Sequence, residues 1–400
     1  MKKNKKKKKT FLEKDIFKMH FGIFFMILAF SIFGIVMIFS ASNVAATLRY
    51  GLSYTHFFNK QILYIVVGFI LGFLVILKIP LKNYNILIWP GIIACVVMLV
   101  GLFLYGKISN GAQSWYDLGF MNLQPSEATK AVLIVFFAYF YQQMCRAKNN
   151  NVKYNIKDYR FYVPLAIGAV ITLLIAMQPD LGGAIIIMFL SYLLFMAAPI
   201  GKGFKRIVTF AGVCFVALFG VVYFVTDGEV LSSYQRSRFE FRNPCERYLE
   251  QSGYQVCNGF IALNNGGLFG VGLGNSSQKY LYLSDSHTDF IFPIIVEELG
   301  LIVGIVVILA YIALLLLIFK VARTSYCVRN AMIAYGVFAL LLLHILVNLM
   351  GILALIPLTG VPLPFLSYGG SFNLTIILLL FLVLRVSIEN KKYRELKIKE

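Results

Sequence analysis

Long apolar stretches recur from one end of the chain to the other and are separated mostly by short polar links. About 20 consecutive apolar residues are needed for a helix to span a bilayer. Ten stretches are predicted to be such helices: 19–40, 61–77, 84–105, 128–144, 161–177, 181–200, 207–226, 299–319, 331–352 and 371–387. We therefore expect an all-α polytopic membrane protein with about ten transmembrane helices and no separate soluble module.

Basic residues between the stretches predict the orientation of the chain. It begins MKKNKKKKK and ends ENKKYRELKIKE, and the links after the second, fourth, sixth and eighth stretches are rich in Lys and Arg. Such residues stay on the cytoplasmic side. We expect basic cytoplasmic tails at 1–18 and 388–400 around a membrane domain at 19–387. A large extracellular loop, about 227–298, would precede the eighth helix.

Composition agrees with a membrane protein. The 400 residues are 59% hydrophobic and 14% charged, whereas soluble domains are about half apolar and about a quarter charged. The net charge of +19 does not indicate nucleic-acid binding, because the basic residues lie between the apolar stretches, where they suit anionic lipid. Cys245 and Cys257 share the predicted extracellular loop. They would form a disulfide in an oxidising exterior or remain two reduced thiols.

Asp289 is an acidic residue at an unusual position, next to an apolar stretch. It lies in the segment HTDFIF, beside the start of the eighth apolar stretch, where an ionisable group is costly and therefore suggests a function. Desolvation there raises the pKa of a carboxyl group, which suits a general base, whereas a nearby cation would lower that pKa again. The alternative is a helix cap, for which Thr288 is also available. His287 is expected to make polar bonds or to hold local structure.

Two other acidic sites lie next to apolar stretches. Glu297 and Glu298 are expected to hold structure, one by pairing inside the bundle and the other by bonding a loop backbone. In the segment QPSEATK, Gln124 and Pro125 begin a helix on which Glu127 and Lys130 share a face. Either these two form an ion pair at the span entrance, or Lys130 meets an anionic lipid headgroup while Glu127 orients it.

Short irregular segments complete the candidate site. Asp180, in QPDLGGA, fits a tight turn between two helices. The run LPFLSYGGS suggests a re-entrant loop in which Gly369 and Gly370, beside Ser367, permit close backbone approach to a substrate or simply close packing. Segments 110–130, 227–298 and 357–370 all lie on the predicted outer side. They predict a shared outward-facing cavity.

These stretches, in this order, resemble the SEDS family of bacterial wall synthesis, which includes FtsW, RodA and SpoVE. The matching pieces are NGAQSW, QPSEATK, QPDLGG, YQRSRF, GGLFGVGLGNSSQKYLYL, HTDFIF, EELG and PLTGVPLPFLSYGGS. The resemblance implies a peptidoglycan glycosyltransferase that polymerises lipid II, with Asp289 as the essential aspartate and Glu127 and Lys130 in the substrate cavity. GLGNSSQKYLYL and PLTG look more like division-type FtsW than elongation-type RodA.

The resemblance also implies a partner, a class B penicillin-binding protein, alongside other division proteins. Ser114 and Ser284 depart from it, since the family often has Arg and Pro there.

Because a lipid pyrophosphate leaves well once its charge is neutralised, one base is enough for the transfer reaction. Lys130, Arg236, Arg238 or a bound Mg²⁺ would supply the neutralising charge. A lipid flippase or other transporter and a recruiting scaffold are the alternative functions.

Overall fold

The computed structural model describes residues 18–109, 112–119, 122–149, 159–226, 241–280, 282–283 and 285–398. Eleven α-helices lie in these ranges: α1 Phe21–Val44, α2 His56–Leu71, α3 Ile88–Tyr105, α4 Pro125–Asn149, α5 Val163–Ala176, α6 Leu181–Ala197, α7 Lys202–Val225, α8 Gln251–Gly266, α9 Ile291–Arg323, α10 Val328–Ile352 and α11 Gly370–Lys397. Short π-helices, Ala45–Arg49 and Gly72–Ile76, extend α1 and α2. Short 3₁₀ helices, Leu81–Leu87 and Tyr159–Tyr162, precede α3 and α5.

The predicted helical membrane architecture is confirmed at the level of fold class. Helices occur at all ten stretches predicted to span the membrane. Among the described residues, six helical segments are long and apolar enough to cross a bilayer: Phe21–Arg49, His56–Ile76, Leu81–Tyr105, Ile291–Arg323, Val328–Ile352 and Gly370–Lys397. Two shorter helical segments, Arg160–Ala176 and Leu181–Ala197, are also apolar.

Two predicted loops contain regular structure. Strands β1 Lys107–Ser109, β2 Ala112–Asp117 and β3 Asn122–Leu123 form a small antiparallel sheet just before α4. Helix α8 lies in the predicted large polar loop, and a disulfide joins its Cys257 to Cys245 in the turn before it. Neither element is apolar enough to be read as a span. Both satisfy backbone hydrogen bonds that an irregular segment would leave unpaired.

Helix α9 is broken near the predicted start of the eighth span, residue 299. Gly300 has φ 89° and ψ 165°, a conformation that favours glycine. A Cβ at this position would overlap the carbonyl oxygen of Leu268. Leu301 N–H donates to the carbonyl of Gly267, and Val271 N–H donates to that of Glu297 (both 2.9 Å). The glycine-rich segment 266–274 therefore packs backbone against backbone on the break.

The Pro/Gly loop, residues 357–370, enters the helix bundle between α10 and α11. Its side chains from Leu363 to Ser367 are buried. The ring of Phe365 lies 5.8 Å from that of Phe30, and the carbonyl of Phe365 lies against Gly34 in the middle of α1. Irregular backbone is tolerated at membrane depth where protein encloses it, which is the case for this loop.

The bundle has two distinct ends. At one end, which we call the aspartate end, Ser371 at the start of α11 lies beside Gln124 (3.4 Å). At the other, the basic end, Glu389 near the end of α11 accepts from Arg329 (3.0 Å), and Arg385 donates to the carbonyl of Leu77 (2.7 Å). The 18 positions from residue 371 to residue 389 separate the ends by about 27 Å of helix.

Candidate active site

Asp289 lies in a turn at the aspartate end, immediately before α9. The helix begins at Ile291 with Phe290 as its N-cap residue, so Asp289 is not the helix cap that was the alternative interpretation. Its carboxylate is half-buried and accepts a hydrogen bond from the Thr288 hydroxyl (3.0 Å). A Cβ added to Gly360 would lie 3.8 Å from Asp289 Oδ2. The carboxylate therefore faces the Pro/Gly loop.

Two hydrogen-bonded links hold the turn against the Pro/Gly loop. Asn348, buried on α10, donates from one Nδ2 to the backbone carbonyls of Asp289 and Val361, each at 2.8 Å. The N–H of Tyr368 donates to the carbonyl of His287 (2.8 Å). Sequence reasoning missed Asn348, although an amide inside an otherwise apolar stretch was a usable signal.

A buried charged cluster contacts the neighbouring part of the same loop. Lys130 donates to Glu127 (2.7 Å), and its Nζ lies 3.3 Å from Nε2 of His344. Lys130 and Glu127 are 2% and 4% exposed, so their charges compensate each other away from water. When Lys130 donates to Nε2, the Nδ1–H of His344 donates to the carbonyl of Pro362 (3.3 Å). His344 was also missed by the sequence reasoning.

His344 and Asn348 lie four positions apart on α10 and therefore share one face of that helix. They contact Pro362 and Val361, which are adjacent residues of the Pro/Gly loop. The Asp289 turn and the Glu127–Lys130 pair are thereby fixed to one short segment of chain. This is the arrangement expected of a preorganised site on a rigid support.

Another part of the site, which we call the Asp180 corner, joins α4 to α6. Asp180 is the N-cap of α6 and accepts from Gly183 N–H (2.8 Å), which agrees with the tight-turn interpretation. Gln124 Nε2 donates to the other carboxylate oxygen of Asp180 (3.1 Å), and Pro125 is the first residue of α4. A Cβ at Gly182 would lie 2.6 Å from the Thr359 carbonyl oxygen. This corner also borders the Pro/Gly loop.

The predicted substrate-contacting residues of the loop have different surroundings. Ser367 is fully buried, and its hydroxyl accepts from the N–H of Leu363 (2.8 Å), so it stabilises the loop internally. Gly369 is the N-cap of α11 and is half-buried. A Cβ at Gly370 would lie 2.5 Å from the ring of Tyr64, which indicates close packing there.

Glu297 and Glu298 lie in the first turns of α9 and are buried. Glu297 accepts from the hydroxyl of Ser276 and from Ser277 N–H (3.3 Å) and hydroxyl (2.9 Å). Glu298 pairs with Lys279 (2.9 Å) and accepts from Ser40 on α1 (2.7 Å). The first thus binds a loop backbone, and the second pairs inside the bundle. Both fix the loop 274–279 beside the site.

His287 is buried against aromatic rings. Its ring lies 4.6 Å from that of Phe57 and 5.8 Å from that of Tyr368. Burial, with a smaller contribution from the nearby Arg49, lowers the pKa of His287 to about 4. Its Nδ1 makes no hydrogen bond to a described residue, whereas its backbone carbonyl accepts from Tyr368 N–H and so helps to hold the turn. The imidazole is neutral at physiological pH.

Some predicted residues fall outside the described part of the chain. Arg236, Arg238 and Ser284 are among them. Ser114 is buried in β2. Within the described residues, no group of three or more His, Cys, Asp or Glu side chains is placed to hold a metal ion.

The fold and the site belong to one family. A profile described as "Cell cycle protein" (FtsW/RodA/SpoVE) matches residues 21–392. The chain therefore belongs to this family, as its motifs predicted, and it is a multi-pass membrane protein.

Individual relatives agree over nearly the whole length. The chain is 33% identical over 392 residues to a protein of Bacillus subtilis (strain 168) named "Probable peptidoglycan glycosyltransferase FtsW", with 96% of this chain and 95% of the relative covered. The protein of that name from Coxiella burnetii is 34% identical over 367 residues, with 90% of this chain and 93% of the relative covered. Stage V sporulation protein E of Bacillus subtilis is 34% identical over 358 residues, with coverages of 86% and 90%.

Two solved structures share the fold. A chain described under "Structural coordination of polymerization and crosslinking by a peptidoglycan synthase complex" matches with a TM-score of 0.72 and 22% identity, covering 93% of this chain and 98% of that one. The rod shape determining protein RodA of Thermus thermophilus matches with a TM-score of 0.64 and 23% identity, with coverages of 92% and 96%. At these identities the likeness concerns the fold.

Proposed function

We propose that this chain is a peptidoglycan glycosyltransferase of the FtsW type, which polymerises lipid II into glycan strands on the outer face of the bacterial cytoplasmic membrane during cell division. Relatives named FtsW cover nearly the whole chain at 33–34% identity, whereas the likeness to RodA is one of fold. Division is therefore favoured over elongation. The observation that carries the proposal is the Asp289 carboxylate, which faces the Pro/Gly loop that His344 links to the buried Glu127–Lys130 pair.

The proposed membrane topology has ten crossings and cytoplasmic termini, with 227–298 outside. The pairing of Cys245 with Cys257 supports it, because disulfides persist in oxidising compartments. Basic residues at the opposite end of the bundle agree with a cytoplasmic location for that end. Asp289 would then lie at the outer rim of the bilayer, where a lipid-linked sugar is presented.

Asp289 is proposed as the general base of an inverting transfer. Its carboxylate takes the proton of the acceptor sugar's 4-hydroxyl as that oxygen attacks the anomeric carbon of the donor. The bond from that carbon to the pyrophosphate oxygen breaks, and the lipid pyrophosphate leaves with the bonding electrons. Attack on the face opposite the leaving group converts an α-linked donor into a β-linked product. Thr288 holds the carboxylate through its hydroxyl.

Cations must stabilise the departing pyrophosphate. Arg236 and Arg238 remain proposed for this role, and Arg49, close enough to His287 to affect its pKa, is a further candidate. Lys130 is enclosed between Glu127 and His344. We therefore assign Lys130 to bracing the loop. Mg²⁺ carried with the pyrophosphate would add neutralising charge without a site built from protein ligands.

The proposed partner is a class B penicillin-binding protein, a transpeptidase that would cross-link the new strand alongside other division proteins. The description of the peptidoglycan synthase complex, which joins polymerisation to crosslinking, supports such a pairing. Co-purification of the tagged chain with a candidate transpeptidase from membranes would test it.

The function is tested with purified protein and lipid II. Asp289→Asn keeps the shape of the side chain but removes the base, so we expect polymer formation on gels to fall about 10²–10⁴-fold, which is what a general base typically supplies. Asp117→Asn, on the exposed edge of β2, should stay within twofold of the native chain. Equal polymer yield from well-folded Asp289→Asn would refute the assignment.

The two rival functions predict different results. A lipid flippase would move labelled lipid across a reconstituted bilayer without making polymer, and Asp289→Asn would impair the movement. A scaffold would support wall synthesis with Asp289 replaced, provided that its interaction surface was intact. Measuring translocation, polymerisation and complementation on the same variants separates the three functions.

A further inference from the structure

An open recess of about 640 Å³ lies between the end of α6 and the start of α7. Its rim carries Lys202, Lys205 and Arg206, and none of the described residues that line it is acidic. Asp180 caps the start of α6 at the aspartate end, and the 17 residues of that helix place the recess about 25 Å away. The recess is therefore remote from the proposed catalytic residues and is not explained by them.

The recess changes from basic to apolar along α7. Positions 202, 206, 209 and 213 follow the helical period, so they line one face over about 16 Å. After the basic rim come Thr209, then Phe210 and Val213, which are 72% and 63% exposed. A charged mouth followed by an apolar groove matches a phosphate headgroup with an acyl chain. It does not match a small free anion, because such an anion has no apolar part that could contact the groove.

The basic side chains of the recess differ in their contacts with the rest of the protein. Lys205 donates to the carbonyl of Met196 at the end of α6 (2.6 Å), which anchors the start of α7 to that helix. Thr209 lies within 3.1 Å of the Tyr192 hydroxyl on α6. Lys202 and Arg206 form no ion pair with a described residue and are exposed. Their charges are thus uncompensated by the described protein, and the N-terminus of α7 adds a favourable dipole.

We propose that this recess binds one anionic phospholipid, with the phosphate at Lys202 and Arg206 and an acyl chain along Phe210 and Val213. Basic pockets between transmembrane helices have the chemistry needed to hold such headgroups. The lipid would fill the space between α6 and α7. The proposal is independent of the glycosyltransferase assignment, since no step of the transfer uses these residues.

Native mass spectrometry of the full-length chain in detergent tests the proposal. Dioleoyl-phosphatidylglycerol should bind as a single copy about tenfold more tightly than dioleoyl-phosphatidylcholine, which has the same chains without net charge. Lys202→Gln/Arg206→Gln should remove that preference. Lys205 is left intact because it anchors α7. Should the double variant elute as aggregate, Arg206→Gln alone should weaken binding about threefold.

The matched control is Lys78→Gln/Lys82→Gln, which removes two exposed charges from the same end of the bundle. It should change binding less than twofold. Inorganic phosphate at tenfold excess should leave the bound lipid in place, because it lacks the acyl chain. Equal loss in both double variants, no preference for phosphatidylglycerol, or displacement by phosphate would each overturn the proposal.

Discussion

At the scale of single residues, one amide and one imidazole connect the charged groups of the site to the Pro/Gly loop. Asn348 bonds both the Asp289 turn and the Pro/Gly loop through one nitrogen. His344 contacts both Lys130 and the carbonyl of Pro362, the next residue of that loop. Neither side chain is a candidate for the reaction itself. Asn348 holds the backbone of Asp289, and His344 holds the loop that the Asp289 carboxylate faces.

Asn348→Ala should therefore reduce turnover without preventing folding. Two carbonyls lose their donor, which costs about 1–3 kcal/mol when such groups are buried, and a misplaced base slows the chemical step at least tenfold. We expect kcat to fall while KM changes little, as measured by lipid II consumption at several concentrations. Asn59→Ala removes an exposed amide and should leave both constants unchanged. An unchanged kcat for Asn348→Ala would contradict the positioning role.

His287 predicts a pH dependence of stability. Its pKa is about 4 in the folded chain but near the ordinary 6.5 when unfolded. Only the unfolded chain binds the proton between these values, so stability should be unaffected above pH 6.5 and fall by up to about 3 kcal/mol as pH drops towards 4. In detergent, thermal unfolding of His287→Phe should show a smaller decrease from pH 7 to 4.5. Parallel decreases in the two proteins would exclude this role.

At the scale of elements, the Pro/Gly loop is the unit on which the site is built. It meets α1 at Gly34 and α6 at Gly182, and in both cases one of its backbone carbonyls approaches the helix closely. Phe365 within it has φ 66°, an uncommon value for a bulky residue. The surrounding helices must hold that conformation. Loop and helices therefore depend on each other for stability.

Gly34→Ala tests this dependence. The new methyl group would overlap the carbonyl oxygen of Phe365, so the loop must shift, with an expected loss of about 1–3 kcal/mol and of most activity. Gly212→Ala on α7 meets nothing within 4 Å and should be neutral or stabilising. Unfolding temperature and polymer yield are the two measurements. A fully active, equally stable Gly34→Ala would show that the loop does not require this contact.

At the scale of the whole molecule, the division into an aspartate end and a basic end sets the orientation in the membrane. The aspartate end carries the disulfide and the proposed site, and the basic end carries Arg329 and Arg385 with Glu389. A lipid-linked donor would reach Asp289 from the outer leaflet. The proposed phospholipid recess would face the inner leaflet.

Cysteine labelling tests that orientation. Leu118, exposed after β2, should react as Leu118→Cys with a membrane-impermeant maleimide in intact cells. Tyr393→Cys, at the exposed end of α11, should react only after permeabilisation. Both are measured in a chain with Cys214→Ala and compared with that chain alone. Labelling of Tyr393→Cys in intact cells would reverse the proposed topology.

The sequence by itself determined the helical membrane fold and the family, and it singled out Asp289 as the candidate base. These follow from local information, because apolar stretches and short motifs consist of consecutive residues in the sequence. Tertiary structure decided which residues meet: Lys130 and His344 are 214 positions apart, and Asn348 and Asp289 are 59 apart. It also decided the break at Gly300, because the carbonyl that excludes a side chain there belongs to Leu268. Such contacts arise from packing between distant segments, and no local pattern encodes them.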